Sequence, residues 1–179
     1  MIKFILSVLT RARNGMELSK HLVDLVTNSI EALAKHVLIM LTAEKGGITL
    51  EVMDDGIGIK DEDVRKALDG EKAPRGKGLR LLREETGSFS YRSDDRGTSV
   101  SAFFDKTDVR GVGDALIVFW QELSITDITL STTSPRGVYC FDSRLIGEKY
   151  GDLADIQTMV KVRKDVNYTL INLFGGNEE

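Results

Sequence analysis

Asp54-Asp55-Gly56-Ile57-Gly58-Ile59 is the stretch from which the fold of this chain is read. It follows Ile48-Thr49-Leu50-Glu51-Val52-Met53, where apolar and polar residues alternate with the period of a half-buried strand. The acidic pair therefore stands at a strand end. Two glycines spaced i and i+2 let the backbone after it turn and pass close to a ligand. An Asp-Gly pair after a strand is in most chains a turn and nothing more. The segments on either side of this one decide what it does here.

Upstream, residues 16–33 are predicted to form a helix. Leu18, Leu22, Leu25, Val26, Ser29, Ile30 and Leu33 recur at helical spacing and make its core face. Asp24, Asn28 and Glu31 fall at i, i+4 and i+7 and share the opposite face. Such a face is ordinarily just solvated. Asparagine in mid-helix is unfavourable, however, unless its amide has a task. An amide oxygen is a hard ligand of the kind Mg²⁺ accepts while sharing itself with waters and nucleotide phosphates. A carboxylate one turn earlier, Asp24, is placed to orient or deprotonate a water beside such a metal.

At the strand end, a buried Asp54 can accept from an exocyclic amine such as that of adenine, with Gly56 and Gly58 leaving room for the flat base. Downstream, Arg75-Gly76-Lys77-Gly78-Leu79 opens a second helix that runs to about Glu85. Free N–H groups at a helix start favour phosphate, and Arg75 and Lys77 add positive charge. Gly97-Thr98 starts a strand in which Thr98 can set a hydroxyl beside the base, although threonine in a strand is most often only a good β-former. Taken together, these segments describe a nucleotide site.

The rest of the chain fits around them. Residues 36–42 and 48–53 read as a hairpin across Glu44-Lys45-Gly46-Gly47, and 61–68 as a short helix with Asp61 as its N-cap. Strands are predicted over 88–92 and 98–104, joined by the tight turn Ser93-Asp94-Asp95-Arg96-Gly97. Residues 105–112 break the pattern with charge and glycine. Beyond them, 114–123 reads as helix, 126–132 and 137–141 as a hairpin around Ser134-Pro135-Arg136, and 152–174 as a mainly helical tail. The apolar N-terminal run 1–9 reads as an edge strand or docking segment.

In order, Asp24–Ala32 (DLVTNSIEA), Asp54–Ile59 (DDGIGI), Arg75–Leu82 (RGKGLRLL) and Arg96–Phe104 (RGTSVSAFF) resemble the four boxes of the Bergerat-fold, or GHKL, ATPases, which include gyrase, the MutL mismatch-repair proteins, histidine kinases and anti-sigma-factor kinases. The resemblance covers about residues 16–104. It implies Asn28 as the Mg²⁺ ligand and Asp54 as the acceptor of the adenine amine, with Gly56 and Gly58 as the glycines of that box. It further implies Gly76, Lys77, Gly78 and Leu79 around the phosphates, Thr98 near the base, and ATP with Mg²⁺ as the ligands. Asp24 matches the acidic position that activates water in the hydrolysing branches, where the usual residue is Glu. A narrower resemblance, carried by Met16–Val37 and the tail after Phe103–Asp114 (FFDKTDVRGVGD), is to small stand-alone ATP-binding proteins encoded beside iron-only hydrogenase subunits.

Composition narrows the function further. With 24 Lys and Arg against 28 Asp and Glu, the net charge is −4, which argues against nucleic-acid binding. The single cysteine, Cys140, excludes an internal disulfide and zinc-finger clusters, and its alternating apolar surroundings suggest a small buried side chain. No apolar run approaches ~18 residues, so no membrane span is expected and a cytoplasmic location is the default. Neither His21 nor His36 lies in a separate helical hairpin, so neither is expected to be a phosphoacceptor. The loop from 60 to 75 is short for a lid, which points to slow turnover.

The expected fold is thus an α/β two-layer sandwich, with helices on one face of a mixed, mostly antiparallel sheet. An ATP-binding domain is expected over 1–107 and a small α/β extension over 108–179. The expected function is an ATP-binding, histidine-kinase-like regulatory protein acting through a protein partner, a hydrogenase subunit or regulator being one the resemblance implies. The alternatives are a serine/threonine kinase of the anti-sigma type and a nucleotide-sensing accessory subunit without catalysis.

Overall fold

The computed structural model describes residues 16–72, 76, 78–105 and 108–175. Arg75 and Lys77, and the N-terminal run 1–9, lie outside the described residues. The helix α1 (Met16–Glu31) leads into the hairpin β1 (His36–Glu44) and β2 (Gly47–Asp54). Two short helices, α2 (Asp61–Leu68) and α3 (Leu79–Glu85), precede a second hairpin, β3 (Ser88–Asp94) and β4 (Gly97–Asp105). Then come α4 (Val112–Val118), a third hairpin β5 (Asp127–Ser134) and β6 (Gly137–Asp142), the single turn α5 (Ile146–Lys149) and the long helix α6 (Ile156–Phe174).

The six strands of the described residues form one sheet, in the order β3-β4-β2-β1-β5-β6. The β1–β5 pair is parallel and the other pairs are antiparallel. The pleat sends alternate residues to one face, and the register stacks them: Ile39 opposes Val52 and Leu130, and Leu50 opposes Ala102. These side chains are buried beneath the helices, with Leu18, Leu22, Leu25 and Val26 of α1 against them. The opposite face carries Thr49, Glu51, Ser99, Ser101, Thr129 and Ser131, all partly exposed. A sheet with one apolar and one solvated face is what its period-2 pattern dictates. The C-terminal hairpin extends this same sheet, since residues 36–42 of β1 pair in register with 127–133 of β5.

Helix α4 is fitted to α6 at close range. The Gly113 N–H donates to Asn167 Oδ1 at 2.8 Å, and Asn167 Nδ2 donates to Asp114 Oδ2 at 2.7 Å. A β-carbon on Gly113 would stand 2.5 Å from the Arg163 carbonyl oxygen.

Four expectations are corrected. Leu33 is not a core residue: α1 ends at Glu31, and Leu33 sits in the left-handed region (φ 61°) and is 70 % exposed. Asp61 is the first helical residue of α2 and not its cap, a place taken by Lys60 without any side-chain hydrogen bond. The helix predicted over 114–123 covers only Val112–Val118, with a 3₁₀ turn at Glu122–Ser124. The β-branched Ile117 and Val118 favour that early end, and Trp120 Nε1 turns to donate to the Leu153 carbonyl. Cys140 is exposed, because Tyr139 and Phe141 take the inward places on β6.

Candidate functional site

One cleft opens between α1 and the ends of β2 and β4. Leu25, Asn28, Ser29, Val52, Asp54, Ile59, Leu79, Thr98 and Val100 line it, and about 280 Å³ of space, solvent at the mouth included, lies between its walls. Five of these residues come from four different elements, so the arrangement is made by the fold and not by sequence proximity: Asn28 and Ser29 from α1, Asp54 from the end of β2, Leu79 from the start of α3 and Thr98 from the start of β4.

Asp54 is the centre of the polar network. Its Oδ2 accepts from the Ser29 hydroxyl at 2.7 Å, and its Oδ1 accepts from the Gly56 amide at 2.9 Å and the Thr98 amide at 3.3 Å. The carboxylate is thereby fixed in plane and orientation by two elements that meet only in the folded chain. Asp54 pairs with Thr98 in the β2–β4 ladder, which is what brings the third of these bonds within reach. Asp55, the other half of the acidic pair, points elsewhere. It accepts from the Lys35 and His36 amides at 2.7 and 2.9 Å and meets His36 Nδ1 at 2.8 Å. Burial is the largest single influence and raises its carboxyl, but the hydrogen bonds from His36 and Lys35 and the charge of His36 together outweigh it and hold the carboxyl below the ordinary value. Its work is to tie the end of β2 to the start of β1.

The glycines of this loop are used by the chain itself. A β-carbon on Gly56 would stand 2.7 Å from the Ala32 carbonyl oxygen, and one on Gly58 would stand 2.0 Å from the Asp94 carbonyl oxygen. The room they create is filled by the end of α1 and by the β3–β4 turn, which the loop clasps on either side. Ser93, beside that turn, accepts from the Ile59 amide at 2.7 Å and lies 3.0 Å from the Thr98 hydroxyl. The Thr98 hydroxyl is therefore held from β3 and its amide from β2.

Asn28 faces the cleft at 8 % exposure with its amide oxygen buried. Asp24, one turn earlier, does not line it. Asp24 lies instead against Gly78, where a β-carbon would come 2.6 Å from Oδ2. Gly78 is the N-cap of α3 in the left-handed region (φ 80°), so glycine is favoured there on two counts, space and backbone. Desolvation by burial raises the Asp24 carboxyl, partly offset by the charges of His21 and Lys20. Gly76 packs beside Ala67 and Leu79. Glu31, the third polar residue of the helix face, is exposed and outside the cleft.

Three residues with parts in this arrangement were not singled out as site residues from the sequence: Ser29, Ser93 and His21. Ser29 falls on the helical core stripe, and its one signal is a hydroxyl at a position where its neighbours are all apolar. Ser93 sits in a turn composition that gives no hint of its reach to Ile59. His21 is 1 % exposed and bonds Glu85 at the far end of α3.

The family model for histidine kinase-, DNA gyrase B-, and HSP90-like ATPases matches residues 14–108, more than half of the chain. No curated protein matches the chain.

Proposed function

This chain belongs to the histidine kinase-, DNA gyrase B-, and HSP90-like ATPase family, and on that premise we propose that it is a Mg-ATP-binding regulatory module that acts through a protein partner. It carries a histidine-kinase-like ATP-binding domain. The observation that carries the reading is the Asp54 carboxylate, held by Ser29, Gly56 and Thr98 at the wall of the cleft. An ionised carboxylate is an acceptor only, with capacity beyond these three bonds, and the adenine amine is the donor that this position suits.

The donor set is compatible with Mg²⁺. Asn28 offers an amide oxygen at the cleft, and Mg²⁺ is commonly held by one or two protein oxygens together with phosphates and waters. Among the described residues, no group of three or more His, Cys, Asp or Glu stands together as a separate metal cage. The metal, when bound, would neutralise phosphate charge. Asn28 would be its protein ligand, Gly76 and Gly78 would border the phosphates, and Leu25, Val52, Leu79 and Val100 would enclose the base.

A partner is supported by the exposure of Leu33 and of Ile57, which is 56 % exposed, on either side of the hydrogen bond from the Ile57 amide to the Ala32 carbonyl. A hydrogenase subunit or its regulator is the partner class that goes with the sequence resemblance. The cytoplasm is the compartment that goes with an ATP-dependent role. Among the described residues, no helix is long and apolar enough to cross a membrane.

A second reading, an anti-sigma-type serine/threonine kinase, is favoured by Asp24, whose raised carboxyl beside Gly78 suits a group that takes up a proton. Calorimetry with ATP, with and without Mg²⁺, tests the first reading, and no heat at millimolar ATP would refute it. Incubation with γ-labelled ATP separates the two. The regulatory reading expects little phosphate release from the chain alone, whereas robust release that is lost in Asp24→Asn establishes an enzyme.

A further inference from the structure

His21, Asp24 and Asn28 fall at i, i+3 and i+7 of α1 and form one polar stripe. The sequence pattern suggests a solvated face, yet α3 lies along part of it. The imidazole of His21 is buried, its ring centroid 5.6 Å from that of Phe104, and its Nε2 meets Glu85 Oε2 at 2.8 Å. Glu85 is the last residue of α3. At the other end of the same helix, Gly78 rests on Asp24 and Leu79 enters the cleft beside Asn28. Thus α3 runs antiparallel to α1, with its C-terminal end held by His21 and its N-terminal end delivered to the nucleotide cleft.

Among the described residues, other polar attachments of α3 go to the C-terminal end of α2 and the residues just after it. Arg83 Nη2 donates to the Leu68 carbonyl at 2.8 Å, and the Arg80 guanidinium packs on Gly70. Leu79 and Leu82 hold the buried side of α3 in the core, so the His21 contact sets where the C-terminal end of α3 lies against α1. The Nδ1 atom of His21 is buried without a partner. A carboxylate only accepts, so in this contact the Nε2–H of His21 donates to Glu85. Charge-assisted hydrogen bonds of this kind are among the stronger side-chain contacts.

We propose that His21 is a positioning residue for nucleotide binding: by clasping Glu85 it fixes α3 along α1, which keeps Leu79 in the cleft wall and Gly78 on Asp24. The proposal rests on the ATP-binding reading above. It assigns His21 no contact with nucleotide and no phosphoryl chemistry.

The test uses the full chain and the variants His21→Leu, His21→Gln, Glu85→Ala and the double variant His21→Leu/Glu85→Ala. Two measurements are made on each: calorimetric affinity for Mg-ATP and hydrogen exchange of the protein without nucleotide. His21→Leu and Glu85→Ala are expected to weaken ATP roughly three- to tenfold, the usual worth of one such hydrogen bond expressed as affinity. Exchange should rise in α3, where the Leu82 amide donates to the Gly78 carbonyl, and stay unchanged in β1 and β5. His21→Gln, whose amide can donate to Glu85, should restore most of both. The double variant should be no weaker than the worse single one, as expected for two residues sharing one interaction.

ATP affinity within twofold of wild type in both His21→Leu and Glu85→Ala overturns the proposal, even if melting temperatures fall. Failure of His21→Gln to recover affinity also overturns it, since a role in core packing alone would be served as well by leucine. Failure of the wild type to bind ATP overturns the nucleotide reading and this proposal with it, whereas a binding wild type matched by its variants overturns the proposal alone.

Discussion

Replacing Asp54 with asparagine separates what the residue does for the fold from what it does for a ligand. In the wild type, Oδ1 accepts from the Gly56 and Thr98 amides and Oδ2 accepts from the Ser29 hydroxyl. An asparagine carbonyl turned toward the two amides keeps both of those bonds. Its NH₂ group then faces Ser29, whose hydroxyl can accept from it and donate to the Leu25 carbonyl, now 3.3 Å away. The unliganded protein loses only the charge assistance of these bonds, about 1 kcal/mol. The adenine amine fares differently. It meets an NH₂ group where an ionised acceptor stood, so a charge-assisted bond is lost and a donor is left facing a donor. That costs about 1–3 kcal/mol, or roughly 5- to 150-fold in Kd. Calorimetry is done with ATP and with the analogue lacking the exocyclic amine. The variant should be weaker for ATP and close to wild type for the analogue, with a small change in melting temperature. An equal loss for both nucleotides, or an ATP loss under twofold, would refute the assignment of Asp54 to the base.

Three further outcomes follow from the same geometry. Ser29→Ala should weaken ATP severalfold while leaving the fold intact, because Asp54 loses the hydroxyl that orients Oδ2 but keeps both backbone amides. Unchanged affinity in calorimetry would make Ser29 a packing residue only. Asn28→Ala should abolish the dependence of ATP affinity on Mg²⁺ while the protein without nucleotide still melts cooperatively; a collapsed melting curve would make Asn28 structural. Asp24→Asn should change the pH dependence of stability. Burial raises the Asp24 carboxyl above its ordinary value of 3.8, so the native state binds more protons than the unfolded chain between that value and the raised one, and its contribution to stability falls as pH rises through this window. The variant should therefore gain melting temperature relative to wild type at pH 7 but not at pH 3, and an equal difference at both pH values would show that Asp24 is not desolvated.

Most of the fold was legible in the sequence because its signals are local. The alternation over 48–53 and the glycine pair at 46–47 define β2 and the first hairpin, and the apolar spacing from Leu18 to Ile30 defines α1. Helix ends were the weak point. Leu33 continues the apolar spacing by count alone, but the chain has already turned at Ala32 to let Ile57 bond its carbonyl, a tertiary contact that no helical pattern encodes. Cys140 was misplaced for a related reason. The alternation in β6 gives two faces, and which of them is inward is settled by pairing with β5 and by α6, not by the strand itself.

Site residues divide along the same line. Asn28, Asp54 and Thr98 could be read because each breaks a local expectation or sits at a recognisable strand end, and all three do line the cleft. The loop glycines could be read as necessary but not for the reason at hand, since the atoms they make room for belong to Ala32 and Asp94, the latter 36 residues beyond Gly58 in the chain. Ser29 and His21 break no local rule. A serine on a helix stripe and a histidine on a helix face acquire their roles only when Asp54 and Glu85 arrive, from 25 and 64 residues away. The polar stripe of α1 therefore has two meanings along its length. Near Asn28 it faces a ligand cleft, and near His21 it receives another helix. Both uses place a polar side chain where little of it is exposed, and for that reason the spacing of polar residues alone does not tell a solvated helix face from a binding wall.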